Sequence, residues 1–305
     1  MKGYGVLFIT GLALSVSCKK AGDATVSTAK TKQTTNVEVQ GHRGDRGNFP
    51  ENSLPAFISA VNKGADVLEM DVVISADNKV VVSHEPYMSY AYVLTPKGDS
   101  IHKAEETSYN LYKMPYDSIK KYDIGSKGNI NFPQQKKVKA YKPLLAEVID
   151  SVEHYVVSNN RKPVRYNIEI KSVREEYGIT QPMPGDFVRL VMDVIKSKNI
   201  KGRYTIQSFD PHMLNVLHEE YPHVAVSFLV AEPGIDKNLT QLNFVPQIYS
   251  PLYNLVNKGF VDSLKQKDIK IIPWTVNDTL DIKRMRALEV DGIISDYPER
   301  VLHNN

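Results

Sequence analysis

Five stretches of this chain leave few choices for its fold: VLEMDVVIS (67–75), YNIEIKS (166–172), VAVSFLVA (224–231), IKIIPWTV (269–276) and DGIISD (291–296). Each is almost continuously apolar. A strand with one face in water alternates apolar and polar residues, so unbroken runs belong to strands covered on both faces, as in parallel sheets flanked by helices. Strand-like runs are expected at 37–41, 66–75, 79–84, 165–171, 203–208, 223–230, 246–250, 270–276 and 291–295. Helical periodicity falls between them, at 53–63, 144–158, 186–199, 211–220, 259–267 and 279–289. Repeated strand–helix alternation over 305 residues predicts an α/β fold of the (β/α)8 TIM-barrel type, with a doubly wound open sheet as the alternative. With 42% apolar residues the chain can bury one large core, and its net charge of +3 argues against a general nucleic-acid coat.

Two regions break the alternation. Residues 1–18 hold an early lysine, an apolar stretch too short to span a bilayer, small residues and Cys18, the sole cysteine. This reads as an export signal ending in a lipobox, with Cys18 as the lipidated residue, although Ser15 stands where leucine is usual. A polar tether follows at 19–36, and the folded domain is expected over 37–305. The expected location is therefore outside the cytoplasm, as a lipoprotein anchored to a membrane and facing the periplasm or the cell surface. The second region, 86–142, is rich in Tyr, Lys, Gly and Pro and has no clear period. It is expected to be an insertion that covers whatever His84 does.

The polar residues within the apolar runs carry the chemistry. Glu69 and Asp71 are two apart on a strand and share a face. Two carboxylates in apolar surroundings repel and lose hydration, and a hard divalent cation such as Mg²⁺ or Ca²⁺ is the simplest compensation. The competing reading pairs one of them with a nearby Lys or Arg and leaves the other solvated. Glu169 and Lys171 repeat the spacing, as a third ligand and a phosphate-binding cation, or as a local ion pair. His42 and His84 each end an apolar run, where barrel strands meet an active site, and are candidates for an acid/base pair. Arg43 beside His42 can hold a phosphate bidentately.

These residues lie in segments that resemble the glycerophosphodiester phosphodiesterases: HRG (42–44), PENSLPAF (50–57), GADVLEMDVVISADNKVVVSH (64–84), IEIK (168–171), QSF (207–209), PWTVN (273–277) and DGIISDYP (291–298), in family order. The resemblance implies a TIM barrel, a divalent cation on Glu69, Asp71 and Glu169, and His42 and His84 as acid and base. It places Arg43, Lys171, Glu51, Asn52, Gln207 and Trp274 on the phosphate or the rest of the substrate. The implied reaction hydrolyses a small-molecule glycerophosphodiester to glycerol 3-phosphate and an alcohol. His42 is assigned as base and His84 as acid. One departure stands out. The family follows its second histidine with Asp and an arginine-threonine motif, whereas this chain reads HEPYMSYAY, with Glu85 and no arginine. That difference leaves open what orients His84. It motivates two alternatives: a lipid-anchored protein that binds phosphorylated head groups with little turnover, and a related phosphodiesterase for glycerophosphoinositol or intact phospholipid.

Overall fold

The computed structural model describes residues 37–303, together with Met1, Gly3, Gly5, Leu7 and Phe8. The chain divides into two compact units, 1–34 and 35–305. The five described positions of the first unit have no regular secondary structure. Cys18 and the 19–36 tether lie outside the described residues. Among the described residues, no helix is long and apolar enough to cross a membrane.

The second unit is a barrel. Its strands are β1 (Glu38–Gly41), β2 (Val67–Ile74), β3 (Val80–Val82), β4 (Arg165–Ile170), β5 (Tyr204–Ser208), β6 (Val226–Val230), β7 (Ile248–Pro251), β8 (Lys270–Ile271) and β9 (Gly292–Ser295). Eight of them run parallel in the order β8-β7-β6-β5-β4-β2-β1-β9, and β3 pairs antiparallel to β2. The ring closes where Asp291 N–H donates to Ile271 (2.9 Å), Ile294 N–H to Pro273 (3.0 Å) and Val276 N–H to Ile294 (2.9 Å). β8 is shorter than the 270–276 run expected for it. Pro273 has no N–H to donate, so regular pairing stops before it.

Helices cover the outside as the apolar period dictates. The helix Leu54–Lys63 begins at Ser53, whose hydroxyl accepts from Ala56 N–H, and ends at Gly64 in the left-handed conformation. Its buried face, Ala56, Phe57, Ala60 and Val61, packs on the strands. The helices Leu145–Ser158 and Pro184–Lys196 bury comparable stripes, headed by Leu145, Val148, Ile149, Phe187 and Val191.

Between β3 and the helix Leu145–Ser158 the chain forms short helical pieces of one or two turns, at Lys103–Ser108, Leu111–Lys113 and Tyr116–Ile119. They enclose an apolar cluster of their own. Met88, Tyr92, Val93, Leu111, Ile119 and Ile124 pack with Val73 and Val81 of the β2–β3 hairpin. The alternating faces of β2 explain this. Leu68, Met70, Val72 and Ile74 pack in the core with the helices, while Val73 continues the Glu69–Asp71 face at the C-terminal end of the strand, where the segment covers it.

Candidate active site

Register builds the centre of the site. β2 and β4 pair with Asp71 opposite Glu169, so Glu69, Asp71 and Glu169 face inward together. Each offers an oxygen, and these oxygens all lie within 4.8 Å of one another. All three residues are buried. Beneath them is a polar layer inside the barrel: Asn167 Nδ2 donates to Gln40 (2.8 Å) and to Gln207 (2.9 Å), and Gln207 Nε2 donates to Glu69 Oε1 (2.8 Å).

The loop after β1 supplies the second half. His42 and Arg43 leave the strand, and Arg43 takes a positive φ of 51°. Gly44 follows at φ 84°, and a Cβ there would lie 2.7 Å from the Ala56 carbonyl carbon. The glycine of HRG is therefore a steric requirement. The resulting turn aims Arg43 N–H at Glu69 Oε2 (2.8 Å). The Arg43 guanidinium donates to Glu51 Oε1 (2.7 Å), and its Nε lies 3.2 Å from Asp71 Oδ2 without hydrogen-bond alignment. Asn52, also at positive φ (53°), donates from Nδ2 to Asp71 Oδ2 at 2.8 Å.

The electrostatics fit a cation. Burial, then repulsion from Asp71 and Glu169, pushes the Glu69 carboxyl well above the ordinary carboxylate range. Burial and Asp71 likewise raise Glu169, although Lys171 Nζ pairs with it at 2.7 Å. Asp71 stays low. Burial opposes its ionisation, but Arg43, His84 and Lys171 outweigh that. Even so, Asp71 Oδ1 is buried with no hydrogen-bond partner. Arg43 is shared with Glu51, so nearby cations do not neutralise the three acids. An all-oxygen set with an orphaned acceptor, in which burial and mutual repulsion oppose the charge of two members, suits a hard divalent ion.

Both imidazoles carry a carboxylate on Nδ1. His42 Nδ1 is 2.7 Å from Asp296 Oδ1, at the end of β9, and Asn277 Nδ2 donates to the other Asp296 oxygen at 2.7 Å. His84 Nδ1 is 3.1 Å from Glu85 Oε1. A carboxylate acceptor at Nδ1 assigns the proton to that nitrogen and leaves Nε2 for chemistry. The two rings differ in exposure, 12% for the His42 side chain and 32% for His84. Burial, with help from Arg43 and Arg46, lowers His42 below its ordinary value despite Asp296.

His42, Arg43, Glu69, His84, Glu169, Lys171, Gln207 and Trp274 line one cavity of about 250 Å³. Trp274 Nε1 donates to Ser250 O (2.9 Å), and its ring meets Phe209 edge-on at 5.2 Å. Glu51 and Asn52 do not line the cavity, in contrast to the substrate contact expected of them. They are buried behind it, Glu51 holding Arg43 and Arg46 and Asn52 holding Asp71, because the helix that PEN introduces packs against the outside of the turn. Sequence reasoning missed Asp296, Arg46, Asn277, Tyr92 and Lys142. Asp296 had a usable signal, since it ends the last apolar run as His42 ends the first.

The model of the glycerophosphoryl diester phosphodiesterase family matches residues 42–300. The chain belongs to that family. A glycerophosphodiester phosphodiesterase from Caldanaerobacter subterraneus subsp. tengcongensis is 30% identical over 265 residues, covering 87% of this chain and 96% of that one. A Silicibacter pomeroyi structure, provisionally named a glycerophosphoryl diester phosphodiesterase, superposes with a TM-score of 0.79 at 26% identity. It spans 88% of this chain and 93% of its own. An Oleispira antarctica phosphodiesterase solved with the product sn-glycerol-3-phosphate shares the fold, with a TM-score of 0.67 at 21% identity over 88% of this chain and 96% of that one. The family member described here thus brings a buried acidic triad and two carboxylate-bound histidines to the mouth of one barrel.

Proposed function

We propose that this protein hydrolyses glycerophosphodiesters to glycerol 3-phosphate and an alcohol, with His42 as general base and His84 as general acid. The observation that carries the reading is the pairing of each imidazole with a carboxylate at one cavity that Glu69 and Glu169 of the acidic triad also line. The Oleispira relative's glycerol phosphate product supports the same substrate half.

Glu69, Asp71 and Glu169 would hold Mg²⁺ or Ca²⁺. Such an ion supplies Lewis-acid polarisation of the phosphodiester oxygens. Arg43 and Lys171 line the cavity and bind the phosphate anion by charge-assisted hydrogen bonds. His42, kept neutral by burial, takes the proton from the attacking hydroxyl at Nε2. A glycerol 2-hydroxyl is the nucleophile already in place, which gives a cyclic phosphate that water then opens. His84 gives a proton to the departing alcohol oxygen. It lines both this cavity and a neighbouring one of about 670 Å³, bounded by Tyr87, Asn110, Lys113, Val173, Glu176 and Ile179, and the alcohol occupies that second space. Cys18 as a lipid-anchored residue, with the domain outside the cytoplasm, is proposed from the amino-terminal sequence.

A panel of glycerophosphodiesters assayed with Mg²⁺, Ca²⁺ and chelator tests the reading. The chelator and His42→Ala should each lower turnover at least about a hundredfold. Retained turnover in both cases would overturn it. Tight binding without product would favour the head-group-binding alternative.

A further inference from the structure

The acid role of His84 raises a question that the departure after this histidine leaves open: what holds the ring. We propose that Tyr92 and Lys142, from opposite ends of the segment between β3 and the helix Leu145–Ser158, are positioning residues that act on His84 through Glu85. The proposal rests on the acid role of His84 given above.

Both Glu85 carboxylate oxygens are engaged. Oε1 meets His84 Nδ1 at 3.1 Å, and Oε2 accepts from the Tyr92 hydroxyl at 2.6 Å. Tyr92 cannot drift, because its ring is buried in the apolar cluster over the β2–β3 hairpin. The backbone is held from the other side. Lys142 Nζ donates to Ser83 Oγ (2.7 Å), and Ser83 Oγ donates to the Glu85 carbonyl (2.6 Å). Lys142 is only 2% exposed, and its Nζ lies 5.6 Å from the centre of the Tyr92 ring. A glutamate has one more rotatable bond than an aspartate, so it holds a neighbouring ring only if its far end is fixed. Tyr92 fixes it.

The charges point the same way. Burial opposes ionisation of Glu85, but the His84 ring and then Lys142 and Arg43 overcome it and keep the carboxyl well below the ordinary range. Burial pulls Lys142 down, and Glu85 is the strongest of the groups that oppose this. A buried ammonium facing a carboxylate is a poor source of stability, since apolar side chains of equal volume often serve as well. Its use here is to keep Glu85 charged and in place, so that the His84 ring is held with Nε2 toward the cavity. In the step it serves, the phosphorus–oxygen bond to the alcohol breaks and its electron pair goes to the alcohol oxygen. The His84 Nε2 proton moves to that oxygen and leaves neutral imidazole.

The test compares two glycerol 3-phosphate esters at saturating divalent metal: an alkyl ester, whose leaving oxygen needs a proton, and a p-nitrophenyl ester, whose leaving oxygen does not. His84→Ala should lose about a hundredfold in kcat on the alkyl ester and much less on the nitrophenyl ester. Tyr92→Phe and Lys142→Met should repeat that split at about tenfold, with KM little changed. Glu85→Gln gives the same comparison if either variant melts at the assay temperature. Should Tyr92→Phe and Lys142→Met lose nothing, or lose equally on both esters while His84→Ala shows the split, the clamp is wrong and the acid role stands. Should His84→Ala itself lose equally on both, the acid role falls and the clamp falls with it.

Discussion

His42 Nδ1 and Asp296 Oδ1 lie 2.7 Å apart although 254 positions separate them in the chain. β1 and β9 are neighbours in the ring, with Gly41 opposite Ser295, so the residue after each strand end meets its counterpart. The contact directs the Nδ1 side of the His42 ring to Asp296 and leaves Nε2 for chemistry. It also ties the proposed base to the closure of the barrel.

Asp296→Asn removes the negative charge that raises His42. Burial, Arg43 and Arg46 then act on the ring unopposed, so His42 should stay neutral to still lower pH. The acid limb of kcat/KM should shift to lower pH while its plateau falls about ten- to a hundredfold, because the ring is no longer oriented. A limb that moves upward would contradict the assignment of His42 as base. The check is a pH–rate profile on one glycerophosphodiester.

Asp296 also bears on stability. Burial opposes its ionisation, but His42 and its other partners outweigh this and hold its carboxyl at about 2. A carboxyl depressed in the folded state adds stability above its unfolded value, roughly 3.9, and that contribution is lost as pH falls toward the folded value. Acid unfolding of Asp296→Asn should therefore show a smaller loss between pH 5 and pH 2, in round numbers, than the wild type. Denaturant melts at three pH values measure it.

Gly44→Ala should destabilise the domain by about 2 kcal/mol or more. The positive φ disfavours a side chain, and the new methyl would press on the Ala56 backbone. Activity should fall further than stability, because the same turn aims the Arg43 N–H at Glu69. A fluorescence melt and a single-substrate assay separate the two effects. Unchanged Tm would contradict the steric account.

Glu69→Gln removes a charge that burial, Asp71 and Glu169 oppose, which should offset part of the hydrogen bonding it loses from Gln207 and Arg43 in the metal-free protein. It should, however, abolish the rise in Tm produced by Mg²⁺ or Ca²⁺. For a native-state ligand at about a hundred times its Kd that rise corresponds to about 2.7 kcal/mol. Differential scanning calorimetry with and without chelator reads both quantities. A wild type that divalent ions leave unshifted would remove the triad as a cation site.

Lys171→Met should raise KM for a phosphodiester about tenfold, through loss of one charge-assisted contact, and should raise the Glu169 carboxyl further. Steady-state kinetics against ionic strength distinguish this from a general loss of folding. The wild-type KM should climb with salt more steeply than the variant's.

The apolar runs by themselves determined an α/β architecture, because strands buried on both faces need a layer of helices on one side and a second cover on the other, here the interior of the closed barrel. Period-two spacing also determined that Glu69 and Asp71 share a face, since alternation is a property of any extended chain. Tertiary structure decided what no local pattern contains. Whether Glu169 completes the pair depends on the β2–β4 register, which is set by packing around the ring. That Glu51 and Asn52 support the site from behind depends on how one helix seats against one turn. Asp296 meets His42 only because the barrel closes. Tyr92 reaches Glu85 and Lys142 reaches Ser83 from a segment without periodicity, where long-range packing places them, and such placement leaves no spacing in the sequence to read. Local sequence encodes which way a side chain points relative to its own backbone. Which side chains meet is settled by long-range packing, and the chemistry of this site resides in those meetings.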